Sequence, residues 1–403
     1  MTQDIPVTTN EKSPRIRAFD IIRGYFLIVI LINHIELYPS FFDFFTGRGR
    51  LLVSAAEGFF FMAGLLVGIV YKRRLHLGMR FILKKMWRRA GLLYIASVAF
   101  TLLFTALALH FNHPNIKQGL TQNIGWPSIV GQTLLMRYSF GWADFLYRFA
   151  LLMLIAPLAF YLLSKGKWWL VGLGSLVLWA LPGDGNPMDI LNWQIIFMMG
   201  LVGGFYWGEI HYWFRHLKPV ARKRLKLGIT ATALTTFALS YASVFLLSKL
   251  NQRLLGNPQS LSPWWQSLTL HWNSANEYVW LYAQKWTMGP LRIMLFVIWF
   301  IFLFMVVRRY EHTITRLTKG VVETLGRNSL FVYITHAFIV FAFKLFIPNN
   351  TNIYQNFVIT ASALALLVVI TYNYVRLTAR AKHPELRKAA NQKYYSKAET
   401  AKN

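Results

Sequence analysis

Arg23 and His34 stand 11 residues apart in the stretch FDIIRGYFLIVILINHIELY. At 100° per residue that spacing falls about 20° from three full turns, so on a helix the two side chains share a face, roughly 16 Å apart along the axis. A guanidinium can hold an anionic group, and an imidazole can take a proton from a hydroxyl. The same stretch carries Asp20, Asn33 and Glu36, and Glu57 follows in SAAEGFFFMAGLLVG. If two helices run antiparallel here, Glu57 comes near the level of His34. A carboxylate so placed would orient the imidazole and raise its basicity, the base-plus-orienter pattern of acyl-transfer sites. The plainer alternatives are a snorkelling Arg23 and a His34 that is only a satisfied buried polar group. The company of Asn33, Glu36 and Glu57 favours chemistry. Gly58, Gly64 and Gly68 read as helix-packing positions.

A second cluster is basic. KRRLHLGMRFILKKMWRR (72–89) contains Arg80, Lys84, Lys85, Arg88 and Arg89. Lys85 and Arg88 stand at i and i+3, on one helix face. Two cations so spaced suit a polyphosphate, whose oxygens arginine binds in pairs. Composition alone favours the simpler reading, contact with anionic lipid.

The elements that must position these residues are apolar and long. The chain has 403 residues, 55% hydrophobic and only 14% charged, against about 25% charged in a soluble domain. Mean hydropathy is +0.39. A soluble enzyme and a disordered chain are both excluded. Roughly 20 helical residues cross the hydrocarbon core, and backbone polar groups must be paired there, so apolar runs of that length read as membrane helices. Ten such runs are present, at about 19–37, 51–71, 90–110, 144–163, 168–182, 193–208, 228–248, 289–307, 328–347 and 353–374. The fifth and sixth are short. The expected fold is therefore an all-α integral membrane protein of about ten transmembrane helices.

Charge sets the expected orientation. The net charge is +28, and its distribution points to a membrane protein rather than to nucleic-acid binding. Segments 1–18, 72–89, 164–167, 209–227, 308–327 and 375–403 hold 32 Lys and Arg; the alternate segments hold 7. The positive-inside rule places the rich set, both termini included, in the cytoplasm. The organisation expected is a cytoplasmic basic tail (1–18), one polytopic domain (19–374) and a second basic tail (375–403). No signal peptide is expected, because the first span follows a polar tail and no small-residue cleavage site follows it. The outer segments 111–143 and 249–288, rich in Trp, Pro and Asn, are expected to form short interfacial helices. With no cysteine in the chain, disulfides, thiolate–metal sites and cysteine nucleophiles are excluded. No metal is expected.

The two motif stretches quoted above resemble the start of the OpgC-type proteins, membrane acyltransferases within the broad acyltransferase-3 superfamily. Arg23-x10-His34 is similar to that superfamily's Arg/Lys-x10-His motif. Lys85-x-x-Arg88 is similar to its Arg-x-x-Arg motif, with Lys in the first place. WADFLYRFALLMLIAPLAFYLL, NWQIIFMMGLVGG and LGRNSLFVYITH resemble three later OpgC-type segments, in matching order. One departure is Asn33, where an Asp usually precedes the His; a neutral neighbour does not raise the imidazole's pKa as a carboxylate does.

The resemblance implies transfer of an acyl group, succinyl among the candidates, from cytoplasmic acyl-CoA to a hydroxyl of an extracytoplasmic glycan such as a periplasmic glucan. It implies a multi-pass protein of a bacterial cytoplasmic membrane, with membrane lipid, acyl-CoA and a glycan as partners, and no nucleic acid. Succinyl-CoA would be a co-substrate. In that scheme His34 is the general base, Arg23 lines the donor's path, and Lys85 and Arg88 hold its phosphates. Asn33, Gln194 and Arg292 are candidates for stabilising the oxyanion. Asp144, which opens the fourth span, either meets the acceptor or is an ordinary interfacial residue. His336, mid-way along the ninth span, either faces His34 or packs as a buried polar group. Rival readings are a glycan or lipid transporter without acyl transfer, a scaffold subunit, and acyl transfer to another surface glycan or lipid. The oligomeric state is left open.

Overall fold

The computed structural model describes residues 15–112, 125–142, 144–181, 190–257, 259, 261–347 and 352–382. Most of the two basic tails (1–14 and 383–403) and residues 113–124 and 182–189 of the outer segments lie outside the described residues. The described chain is all α. We label the longer helices α1 (Arg17–Ile35), α2 (Ala55–Lys72), α3 (Met79–Phe111), α4 (Trp126–Leu134) and α5 (Asp144–Ser164). Next come α6 (Trp168–Ala180), α7 (Ile190–Phe205), α8 (Trp207–His216) and α9 (Pro219–Gly256). The last are α10 (Pro263–Tyr282), α11 (Pro290–Leu317), α12 (Val321–Arg327), α13 (Ser329–Phe346) and α14 (Ile353–Lys382).

Eight described helices are long and apolar enough to cross a membrane, or nine if α7 and α8 make one bent span. Each of the ten apolar runs of the sequence contains a helix among the described residues, but two of these are not simple spans. α6 has 13 residues, about 20 Å of helix against a hydrocarbon core of about 30 Å. α7 and α8 meet at 66°, because Tyr206 leaves the helical path (φ −94°, ψ 19°). A hydropathy window counts apolar residues and is blind to such a break. The two segments expected outside, 111–143 and 249–288, contain the helices α4 and α10; α4 is short at 9 residues, but α10 has 20.

Burial orders the bundle. The apolar window of α1 is 72% buried and that of α9 only 11%, so α1 is the core strut and α9 a peripheral helix. α1 packs on α2, α11, α12 and α13, while α2 lies along α7 and α3 along α5. Two contacts are so close that only glycine fits. A Cβ on Gly200 of α7 would lie 2.2 Å from the Phe61 carbonyl oxygen of α2, and one on Gly64 would lie 2.1 Å from that of Phe197. On the other flank, a Cβ on Gly326 of α12 would meet the Asp20 carbonyl oxygen at 1.7 Å, and one on Gly24 would meet that of Val322 at 1.9 Å. Without a hydrophobic force between helices in lipid, such backbone contact is what membrane helices gain by.

The closeness of α2 and α7 can be tested. Gly200→Val should push α7 from α2 and destabilise the protein by on the order of 1–3 kcal/mol, the usual cost of overpacking. Gly172→Val, on α6 where a Cβ meets nothing within 4 Å, should be silent. Thermal unfolding of both variants in detergent checks this; equal melting would show that the two helices are not tightly packed.

Candidate active site

α1 and α13 bring two imidazoles together across 302 positions of sequence. His34 Nδ1 and His336 Nε2 are 2.9 Å apart. His336 Nδ1 lies 2.6 Å from the carbonyl oxygen of Tyr333. A carbonyl can only accept, so His336 Nδ1 carries the hydrogen. In the neutral ring its Nε2 is then the acceptor, which makes His34 Nδ1 the donor. His34 Nε2 is thereby left with a lone pair. That is the tautomer a general base needs, and it is fixed from behind as in other base–orienter pairs. His336 is 1% exposed. Of its two sequence readings, the structure has it facing His34.

Glu57 is not the orienter. It is fully buried, but its carboxylate accepts from the Ser54 backbone N–H at 2.9 Å, at the start of α2, and pairs with Arg292 Nε at 2.5 Å. The expected contact with His34 fails for a physical reason: a carboxylate at the third position of a helix satisfies that helix's own free N–H groups. Arg292 is 0% exposed and also donates to the Ala283 carbonyl at 3.2 Å. Its Nη2 is buried without a partner among the described residues. Asn33 Oδ1 is likewise buried and unpartnered among them. Asn33 opens on a separate apolar cavity of about 290 Å³, which Ser54 also lines.

A larger cavity, about 590 Å³, lies toward the other end of α1. Arg15, Arg23, Arg73, Arg74 and Arg89 line it, with Asp20 as the one carboxylate among the described residues. Its deep wall includes Phe59, Phe145 and Tyr333, and the Tyr333 ring lies 4.7 Å from that of His336. Arg23 is held in place by donating to Ser329 Oγ, at the head of α13. Lys85 and Arg88 do not line this cavity. α3 buries Ile82, Met86, Ala90 and Leu93; Arg89 stands three residues after Met86, whereas Arg88 is turned about 200° from it. Lys85 is exposed, with its ammonium 4.7 Å from the ring of Phe81 on its own helix. The arginine signal was present in the sequence, one residue further along.

The remaining candidates divide. Gln194 donates to the carbonyls of Ser175 at 2.7 Å and Leu191 at 3.1 Å and accepts from Ser175 Oγ at 2.8 Å. It pins α6 to α7, and with both its N–H groups engaged it has no donor left for an oxyanion. Asp144 pairs with Arg148 at 3.3 Å and lines neither cavity. Two cations that sequence reasoning passed over act on His34: Lys285, in the turn before α11, and Lys344, which pairs with Glu36. Burial pushes the Lys285 ammonium below its usual value; Glu57 opposes this and Arg292 adds to it. No spacing rule could have joined Lys285 to a helix some 250 residues earlier.

A family profile described as OpgC protein matches residues 15–379. The chain belongs to the OpgC family. Neither the curated proteins nor the solved structures give a match. OpgC membership suggests a membrane acyltransferase with a part in glucan modification. Of the five OpgC-like blocks, the first and last supply the bonded pair His34 and His336, and the second and third supply Phe59 and Phe145 of the cavity wall. The fourth, around Gln194, supplies packing.

The ion pair of this OpgC chain has a testable cost. Glu57→Gln leaves the Arg292 guanidinium buried and uncompensated, a loss of about 3–5 kcal/mol. Replacing both partners, as Glu57→Leu with Arg292→Met, should recover most of it. Unfolding measurements that find the double variant as unstable as the single one would mean that the pair does more than cancel charge.

Proposed function

We propose that the protein transfers an acyl group from an acyl-CoA, held at the arginine-lined cytoplasmic end, to a hydroxyl of an extracytoplasmic glycan such as a periplasmic glucan. One observation carries this reading: an imidazole whose lone pair is fixed by the His34–His336–Tyr333 chain, beyond the wall of a cavity lined by five arginines. The bacterial cytoplasmic membrane is the location that fits. An acyl group ending in a carboxylate, succinyl for example, is the one we propose, with Lys285 before α11 as the cation that would meet that carboxylate.

In the proposed reaction the acceptor hydroxyl donates its proton to His34 Nε2 as its oxygen attacks the thioester carbonyl. The tetrahedral oxyanion collapses, the C–S bond breaks, and the imidazolium returns the proton to the departing thiolate. His336 holds the His34 ring throughout and touches no reacting atom. Asn33, the expected donor to the oxyanion, is turned about 100° from His34 on α1 and lines the separate apolar cavity, so that role is not assigned to it. Arg292 lines neither cavity, and we assign it a structural role as the partner of Glu57. The donor reaches His34 past Phe59, Phe145 and Tyr333, whose rings pack on one another at 4.7–6.3 Å.

The experiment is in vitro transfer with protein in lipid nanodiscs, acyl-CoA and a glucan, read by thiol release and by the mass of the glucan. His34→Ala and His34→Gln should both lose roughly 10²–10⁴ in rate, the range of general-base catalysis, with acyl-CoA affinity nearly unchanged. Near-normal turnover by the Gln variant would remove His34 as the base.

The donor end is tested separately. Arg74→Ala with Arg89→Ala should weaken acyl-CoA binding by on the order of 1.5–3 kcal/mol for each charged hydrogen bond removed. Lys85→Ala with Arg88→Ala should bind acyl-CoA as the parent does. The opposite ranking would move the donor site to the outer flank of α3.

A further inference from the structure

Beside the arginine-lined cavity is a third one, of about 510 Å³, in the angle between α7 and α8. Ile69 and Arg73 line both, so the two are neighbours that share a guanidinium. The chemistry changes across Arg73. On one side the walls offer arginines; on the other they offer Phe205, Trp207 and Tyr212, with Lys72 and Glu209 at the rim. The Trp207 indole is fixed from behind, edge-on to Phe19 at 5.1 Å and Phe304 at 5.4 Å. Gly208 leaves open space where a side chain would stand.

We propose that this pocket takes the adenine base of the donor's nucleotide, with Arg73 holding the diphosphate at the junction of the two cavities. This rests on the acyl-CoA reading of the arginine-lined cavity. A purine is flat and apolar on its faces, which suits a rigid indole and a phenol ring. Its exocyclic amine donates hydrogen bonds, and the Glu209 carboxylate accepts them. Lys72 pairs with Glu209, but the carboxylate side chain is 57% exposed; an ion pair so wet contributes little, so a base can take its place. The base in this pocket points the rest of the donor along the arginines toward Tyr333. The bend at Tyr206 then acquires a use, since a straight α7–α8 helix would leave no angle to fill.

The test is calorimetry on the full-length protein in nanodiscs, with acyl-CoA, ADP and inorganic pyrophosphate as probes. Tyr212 is 66% exposed and Glu209 is a rim residue, so Tyr212→Ala and Glu209→Ala should both fold. Wild-type protein should bind ADP at least about tenfold more tightly than pyrophosphate, equal to about 1.4 kcal/mol. Both variants should lose that preference and bind pyrophosphate as before. If acyl-CoA binds yet ADP shows no preference over pyrophosphate, or the variants retain the preference, the base lies elsewhere and only this inference fails. If acyl-CoA does not bind at all, the donor reading fails with it.

Discussion

The hydrogen bond between His34 and His336 forms only if α1 and α13 keep one separation and one register. α1 is joined to the α12–α13 segment at two heights. At one end Gly24 and Gly326 bring the backbones of α1 and α12 into contact, and Arg23 reaches Ser329. At the other end the imidazoles meet. Both helices run the same way between these points. α1 advances 11 residues and α13 only 7, a difference of about 6 Å in rise, and the long arginine side chain takes up that difference. The glycines therefore do more than allow close packing. They set the height at which the base meets its orienter.

Charge inside the bundle is arranged under the same constraint. Glu57 and Arg292 are both essentially unexposed, and removing two charges from water costs more than their attraction usually returns. Glu57 recovers part of that cost by accepting from the Ser54 N–H that caps α2, where the helix end is positive. The carboxylate is thus fully engaged, and His34 is left with a neutral partner. Asp20 plays a comparable part at the basic end, pairing with Arg15 at 2.7 Å inside an otherwise cationic cavity.

The legible part of the sequence was what periodicity and composition record. The helical class, the membrane character and the shared face of Arg23 and His34 follow from local spacing. Hydropathy could not register the break at Tyr206 or the shortness of α6, because both are matters of backbone path and length. The orienter was misread for a related reason. Antiparallel packing fixes the height of Glu57 but not its azimuth, and the N-terminal turn of α2 claimed the side chain first. Lys85 and Arg88 satisfied an i, i+3 rule that says nothing of which face α3 turns inward; the buried set Ile82, Met86, Ala90 and Leu93 decides that, and it favours Arg89. Lys285 and Lys344 were beyond reach, since only the folded chain brings them to His34.

A neutral orienter changes the electrostatics of the proposed reaction. In a carboxylate-backed triad the imidazolium is stabilised by a standing negative charge. Here Glu57 and Glu36 are already paired with Arg292 and Lys344, and the group bonded to His34 is a second imidazole. An imidazolium formed alone would have no standing negative charge bonded to it. It is acceptable only if it forms together with the oxyanion, since two opposite charges about 4 Å apart attract by about 4 kcal/mol at an effective dielectric of 20. In the proposed reaction this arrangement couples proton transfer to bond formation, because the imidazolium and the oxyanion each supply the other's counter-charge.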